Sequence, residues 1–288
     1  MSETVRWTLS VSLVAAVACA SLLRLAPPGE SDNSPFSLAR AIEHVKFIAS
    51  APHPLGSEHH RAVREYLVAQ FSALGLEVQV QESRVKNRLL HGLPIRIANV
   101  IARVRGRAGL TGAVLLAAHY DSTPVSASCG AGDDGAAVAA LLEVARVLSL
   151  DRPECDVIFL MTDGEELGML GATAFVTEHP WVVDVGVVLN FEARGTSGAS
   201  IMFETSPGNA SLISEFASSA PHPVASSLSY DIYRMMPNNT DFTIFREAGL
   251  RGLNFAFIDG VSNYHTPGDN LANLDPRSLR HHGVQALS

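Results

Sequence analysis

The sequence predicts an α/β fold with a mostly parallel central sheet flanked by helices. Apolar runs of strand length alternate with segments of helical spacing, which is the pattern of strands joined by crossover helices. Several of these runs end in a histidine or a carboxylate, at the position where open α/β sheets place their sites. We therefore expect one large domain over residues 31–288, with a polar site at the carboxyl ends of its strands.

The first and last elements carry no metal-binding pattern. Helical spacing covers residues 37–48 and 58–74, and strand-like runs follow at 77–81 and 97–104. From residue 113 onward, strands and helices alternate to a final helix at 276–288. In that helix His281 and His282 are adjacent and face different directions, so they are poor candidates for ligands to one ion.

The first polar strand end follows the apolar run 113–118, which predicts a buried strand. His119 comes next and Asp121 two residues later. One ring nitrogen of His119 would bind a metal ion, while Asp121 would accept a hydrogen bond from the other nitrogen. An ordinary polar pair in a loop is the alternative for these two residues taken alone.

The second polar segment places Asp133 and Asp134 among glycines, directly before a helical run at 136–148. Glycines permit an unusual backbone at this point. Helix capping would explain one aspartate but explains two less well. We expect Asp133 to bridge two metal ions and Asp134 to be a supporting or helix-capping residue.

Two further strand ends and one loop complete the pattern. The run 156–161 leads to Glu165 and Glu166, and the run 186–191 leads to Glu192. Tyr264 and His265 lie in the loop 262–270. Glu166 would bind a metal ion, and Glu165 would take a proton from the bound water and return it to the leaving amine. Each segment alone fits a polar loop, but together they predict a two-zinc hydrolase site.

These residues resemble the zinc aminopeptidases of the MH clan, over residues 35–288. The clan includes bacterial leucyl aminopeptidases and, more remotely, glutamate carboxypeptidases and glutaminyl cyclases. The resemblance implies an α/β/α sandwich with two zinc ions per chain. It also implies that Glu192 joins His119 on one ion, that His265 joins Glu166 on the other, that Asp133 bridges them and that Glu165 is the base.

Two departures from the common family pattern stand out. Glu192 replaces the more usual aspartate, and residues 135–137 replace an Asn-Ala-Ser-Gly segment. A membrane-associated branch of the family, which the chain resembles more closely, has glutamate at the first position. The longer side chain bears on the identity of the second ion and not on its existence.

The expected reaction is hydrolysis of peptide substrates, most simply the release of N-terminal amino acids. Tyr264 would donate a hydrogen bond to the developing oxyanion. Arg194, two residues after Glu192, would contact a substrate carboxylate or pair with a nearby acid. A carboxypeptidase or dipeptidase, a glutaminyl cyclase with one zinc ion, and a non-catalytic binding protein of this fold remain alternatives.

Residues 1–30 are expected to form a signal peptide or an N-terminal membrane anchor with a linker. The apolar stretch within residues 7–25 predicts export to a periplasmic or extracellular location, with membrane attachment if the segment is not cleaved. Cys19 as a lipid-bearing cysteine is a third option, and the two remaining cysteines indicate no disulfide framework. The net charge of −8 argues against nucleic acid as a partner, and the sequence leaves the oligomeric state open.

Overall fold

The computed structural model describes residues 26–29, 34–87 and 91–288. The predicted signal or anchor segment at residues 7–25, including Cys19, lies outside these ranges. Within them, no helix is long and apolar enough to cross a lipid bilayer.

The described residues form helices and strands in an alternating order. The α-helices are α1 (Leu38–Ile48), α2 (Glu58–Ala73), α3 (Ala137–Leu150), α4 (Leu170–Glu178), α5 (Ala210–Ser219), α6 (Ser227–Met235), α7 (Asp241–Glu247) and α8 (Pro276–Leu287). The strands are β1 (Glu77–Asn87), β2 (Leu93–Val104), β3 (Ala113–His119), β4 (Val157–Thr162), β5 (Val185–Ala193), β6 (Ile201–Thr205) and β7 (Gly252–Phe257). Each predicted helix and strand is present.

The strands of the described ranges form one seven-stranded sheet in the order β1-β2-β4-β3-β5-β7-β6. The four central strands, β4, β3, β5 and β7, are paired in parallel. Strands β2 and β6 run antiparallel to their neighbours on either side of this centre, and β1 pairs antiparallel with β2. The expected parallel arrangement is therefore confirmed where the predicted site lies, at the centre of the sheet.

Strands β1 and β2 are longer than the sequence indicated. They pair with each other over their full lengths, but β2 contacts β4 only over residues 100–104. The far half of this hairpin extends beyond the sheet, and its residues 93, 94 and 96 are exposed. In the outer half of β1, residues 83, 85 and 87 are buried, but only Val85 among them is apolar, so the apolar pattern was too weak to mark this part of the strand.

Helices cover both faces of the sheet. On one face α1, α2, α3 and α8 share a large apolar core with side chains such as Leu67, Phe71 and Phe159. On the other face α4 and α7 pack through Phe175, Phe242 and Phe245. Because both faces of the sheet are buried, the central strands are continuous apolar runs in the sequence, and polar side chains lie at their ends.

Candidate metal centre

Three neighbouring parallel strands bring polar side chains to one edge of the sheet. β3 ends at His119, Glu192 lies near the end of β5, and the chain leaves β4 at Thr162 shortly before Glu165 and Glu166. Because β4, β3 and β5 are adjacent and parallel, their carboxyl ends lie side by side. The strand-end residues that the sequence singled out therefore meet in one place.

The first cluster of metal-ligand atoms consists of the buried side chains of His119, Asp133 and Glu192. Nε2 of His119 lies 3.1 Å from Oδ1 of Asp133 and 3.7 Å from Oε2 of Glu192. Ligands about 2.1 Å from a tetrahedral zinc ion stand roughly 3.4 Å apart. The spacing of this cluster matches that separation.

The second cluster consists of Asp133, Glu166 and His265. Nε2 of His265 lies 3.0 Å from Oδ2 of Asp133 and 3.0 Å from Oε1 of Glu166. Asp133 thus belongs to both clusters, with one carboxylate oxygen in each. A carboxylate that bridges two metal ions has this arrangement.

The electrostatics of the clusters suit a cation. Burial raises the pKa of Glu165 and of Glu192 well above the usual range, and burial together with Asp133 raises the pKa of Glu166 to about 7. Carboxylates that are buried close to one another need nearby positive charge to remain ionised.

The contacts of Glu166 also fit a metal ion. Among the described residues, its Oε1 is buried and accepts no hydrogen bond, although Nε2 of His265 lies 3.0 Å away. Ligand atoms that converge this closely could surround one ion. Imidazole nitrogens and carboxylate oxygens are a donor set that zinc accepts.

An irregular turn before α3 holds Asp133 in place. Residues Ala131–Ala136 form a single π-helical turn with non-helical backbone at Asp133 and Asp134, and the peptide bond between these two residues is cis. Oδ2 of Asp134 accepts a hydrogen bond from the backbone N–H of His119 at 3.2 Å, and α3 begins without a side-chain cap. The helix-capping alternative for this pair is therefore wrong.

Asp121 lies beside the clusters, but its carboxylate does not hold the ring of His119 as expected. Nδ1 of His119 lies 2.9 Å from the backbone carbonyl oxygen of Asp121 and 3.6 Å from its Oδ1. The carboxylate instead accepts the backbone N–H groups of Glu165 at 3.1 Å and Glu166 at 3.3 Å. At these distances the main-chain carbonyl, rather than the carboxylate, is within hydrogen-bonding reach of Nδ1 of His119.

The two clusters open into a cavity of about 1150 Å³. Glu165 and Tyr264 also line this cavity, and the Tyr264 ring stacks on the His265 ring with 3.8 Å between centroids. Much of the remaining wall is apolar and includes Val85, Leu170, Phe203, Ile232, Tyr233 and Ile258. The cavity is large enough for a short peptide.

Arg194 lines the same cavity, and the expected pairing with an acid is wrong. Its guanidinium lies over the Tyr264 ring, 5.5 Å from the centroid, and forms no ion pair with a carboxylate of any described residue. The backbone N–H of Arg194 donates to the carbonyl of Phe257 at 3.0 Å, which fixes the chain at the end of β5. A partly buried cation without an acidic partner thus stands beside the clusters.

Two buried carboxylates near the clusters were not predicted. Asp269 accepts the backbone N–H groups of Gly132 at 2.6 Å and Asp133 at 3.2 Å, so it fixes the turn. Its position four residues after His265 in the same polar loop was a usable signal. Asp241 accepts a hydrogen bond from Thr162 and had no comparable signal in the sequence.

His53 supports the end of β3 and should make the fold sensitive to acid. Its backbone N–H donates to Oγ of Ser122 at 2.9 Å, and burial lowers its pKa from 6.5 to about 4. Between these pH values the unfolded chain binds more protons than the folded chain. The free energy of unfolding should therefore fall as the pH falls from 6.5 to 4, by about 3 kcal/mol from this residue.

Urea unfolding at about pH 7 and about pH 4.5 measures this effect. With a chelator present at both values, metal release does not contribute. We expect His53→Gln to lose less stability between the two pH values than the wild type. The matched control is the half-exposed His222→Gln, which should behave like the wild type. An unchanged pH dependence in His53→Gln would contradict the prediction.

Comparison with known sequences gives one family and several curated relatives. The profile of peptidase family M28 matches residues 99–288. A vacuolar membrane protease of Candida albicans (strain WO-1) is 34% identical over 236 residues, which are 81% of this chain and 28% of the relative. Human endoplasmic reticulum metallopeptidase 1 is 35% identical over 197 residues, which are 67% of this chain and 22% of the relative. The chain spans less than a third of the length of either relative.

Solved structures share the fold. A glutaminyl cyclase of Porphyromonas gingivalis superposes with a TM-score of 0.70 at 24% identity, covering 88% of this chain and 96% of the cyclase. A leucine aminopeptidase precursor of Bacteroides thetaiotaomicron VPI-5482 gives a TM-score of 0.73 at 19% identity, covering 89% of this chain and 97% of the precursor. The predicted α/β fold of the zinc aminopeptidases is confirmed.

Proposed function

The chain belongs to peptidase family M28, and from this premise we propose that it is a di-zinc metallopeptidase that releases N-terminal amino acids from peptides. The observation that carries the proposal is the pair of ligand clusters that share Asp133. His119, Asp133 and Glu192 would hold one ion. Asp133, Glu166 and His265 would hold the other.

Zinc ions at these clusters would act as Lewis acids on the scissile carbonyl and on the attacking water. Glu165 would move the proton, a role supported by three observations: it lines the cavity, directly precedes Glu166 and belongs to neither cluster. Its carboxylate takes a proton from the water and then gives it to the leaving amine. Asp121 holds the turn that carries it, through the backbone N–H groups of both glutamates.

Tyr264 would stabilise the oxyanion of the tetrahedral intermediate. Its position in the cavity wall, with its ring stacked on His265, supports this role. Burial, with Asp133 nearby, raises the pKa of the Tyr264 hydroxyl. The hydroxyl therefore keeps its proton over the working pH range and donates it in a hydrogen bond.

The N-terminal amine of the substrate would be held by carboxylates near the ions. Glu165, Glu166 and Glu192 all line the cavity, and a positively charged α-amine suits such surroundings. A guanidinium repels an amine, so the end of the cavity with Arg194 is unsuitable for it. This polarity favours release of the N-terminal residue over a carboxypeptidase reaction.

We further propose that residues 31–288 are the catalytic domain and that the apolar segment within residues 7–25 directs it out of the cytoplasm. The matched relatives are named as membrane proteins of the vacuole and as a metallopeptidase of the endoplasmic reticulum. The name of the vacuolar relative supports membrane association. The apolar segment would provide it in this chain if it is not cleaved.

The proposed function is tested with chain lacking residues 1–30, dialysed against zinc and freed of excess metal. We expect about two zinc ions per chain and release of N-terminal amino acids from a mixed set of peptides. A glutaminyl peptide belongs in the set, because ammonia release with one bound ion would identify a glutaminyl cyclase. Bound zinc without turnover of any peptide would identify a binding protein.

A further inference from the structure

Arg194 combines a position in the cavity with the lack of an acidic partner. Its guanidinium is partly buried, and no carboxylate among the described residues pairs with it. By contrast Arg103, which is buried, pairs with Asp156 at 2.5 Å and Asp184 at 2.6 Å. Partial burial removes part of the hydration of a guanidinium, which costs free energy. Pairing with an anion compensates for this cost.

An anion bound by Arg194 would lie close to the scissile peptide bond of the substrate. The guanidinium lies over the Tyr264 ring, which stacks on His265 of the second cluster. Arg194 is also two residues from Glu192 of the first cluster. One aromatic ring thus separates the cation from the atoms that would hold the scissile carbonyl.

The length of a peptide decides which substrate carboxylate reaches this position. In a dipeptide the C-terminal carboxyl carbon is only about 3 to 4 Å from the scissile carbonyl carbon. Every further residue carries the carboxylate away by about another 3.3 Å or more. A planar guanidinium beside the site therefore matches the carboxylate of the residue that follows the scissile bond.

We propose that Arg194 binds the C-terminal carboxylate of dipeptides, so that the enzyme prefers dipeptides with a free carboxyl group. This inference rests on the proposed peptidase function and names its substrate class. The carboxylates at the metal clusters hold the substrate amine, and Arg194 holds the opposite end of the substrate. Tyr264 orients the guanidinium by stacking beneath it.

The test compares kcat/KM for Leu-Gly, Leu-Gly amide and Leu-Gly-Gly on the zinc-loaded chain. We expect the wild type to cleave Leu-Gly about 10- to 100-fold faster than its amide, which is the effect of a charge-assisted, two-pronged hydrogen bond. The tripeptide should resemble the amide. Arg194→Met should lower the value for Leu-Gly alone, so that the ratio of acid to amide falls to about 1.

Two variants serve as controls. Arg194→Lys keeps a charge but loses the planar fork, and it should give an intermediate ratio. Arg40→Met removes an exposed arginine of α1 and should leave the ratio unchanged.

A wild-type ratio of acid to amide near 1 overturns the inference even if Arg194→Met fails to fold. Equal losses on Leu-Gly and its amide in that variant overturn it too, because they indicate a structural role.

The result also separates this inference from the proposed function. If the zinc-loaded wild type cleaves Leu-Gly and its amide equally well, the peptidase proposal stands and the carboxylate site is wrong. If it cleaves no peptide, the proposed function is wrong and the inference falls with it.

Discussion

Replacing Glu165 with glutamine is expected to lower kcat by about 10²- to 10⁴-fold while the chain still binds two zinc ions. Glutamine keeps the size of the side chain but cannot accept the proton of the attacking water. The side chain of Glu165 belongs to neither ligand cluster, so its replacement leaves the proposed ligands in place. The measurement is kcat on a dipeptide together with zinc content per chain.

The control for this variant is Glu178→Gln, which changes an exposed glutamate on α4 and should retain full activity. If Glu165→Gln loses zinc in proportion to activity, Glu165 acts as a ligand rather than as a base. If kcat is unchanged, another group moves the proton.

The positions of the strand-end residues could be predicted because two physical rules act together. Continuous apolar runs identify strands that are buried on both faces, and parallel pairing brings the ends of such strands to one edge. His119 and Glu192 therefore had to lie near each other once β3 and β5 were neighbours. The sharing of Asp133 between two clusters followed the family resemblance and is present in the structure.

Contacts made by side chains within loops could not be predicted in this way. The carboxylate of Asp121 accepts two backbone N–H groups because the turn after β4 presents them, and the sequence does not encode that turn in a readable pattern. Among the residues that the structure describes, Arg194 has no acidic partner, and its guanidinium lies over the Tyr264 ring instead. Such contacts depend on the final packing of residues distant in sequence.

The strongest test of the two clusters is a comparison of Asp133→Asn with Glu192→Gln. Asp133 contributes one oxygen to each cluster, whereas Glu192 belongs only to the cluster with His119. Asp133→Asn should therefore remove both zinc ions and lower activity by about 10³-fold or more. The reason is that the ions stabilise the charge of the transition state by several kcal/mol, and about 1.4 kcal/mol of that stabilisation corresponds to a tenfold change in rate. Glu192→Gln should leave one ion bound at Asp133, Glu166 and His265.

Zinc content per chain after equilibration with a fixed free zinc concentration distinguishes these outcomes. The exposed Asp231→Asn on α6 is the matched control and should retain both ions. Equal zinc loss in Asp133→Asn and Glu192→Gln would contradict a bridging role, because a bridge must affect two sites where a terminal ligand affects one. Retention of one ion by Asp133→Asn would mean that one cluster holds its ion without the shared carboxylate. The two-zinc proposal therefore depends on Asp133 more than on any other residue in the chain.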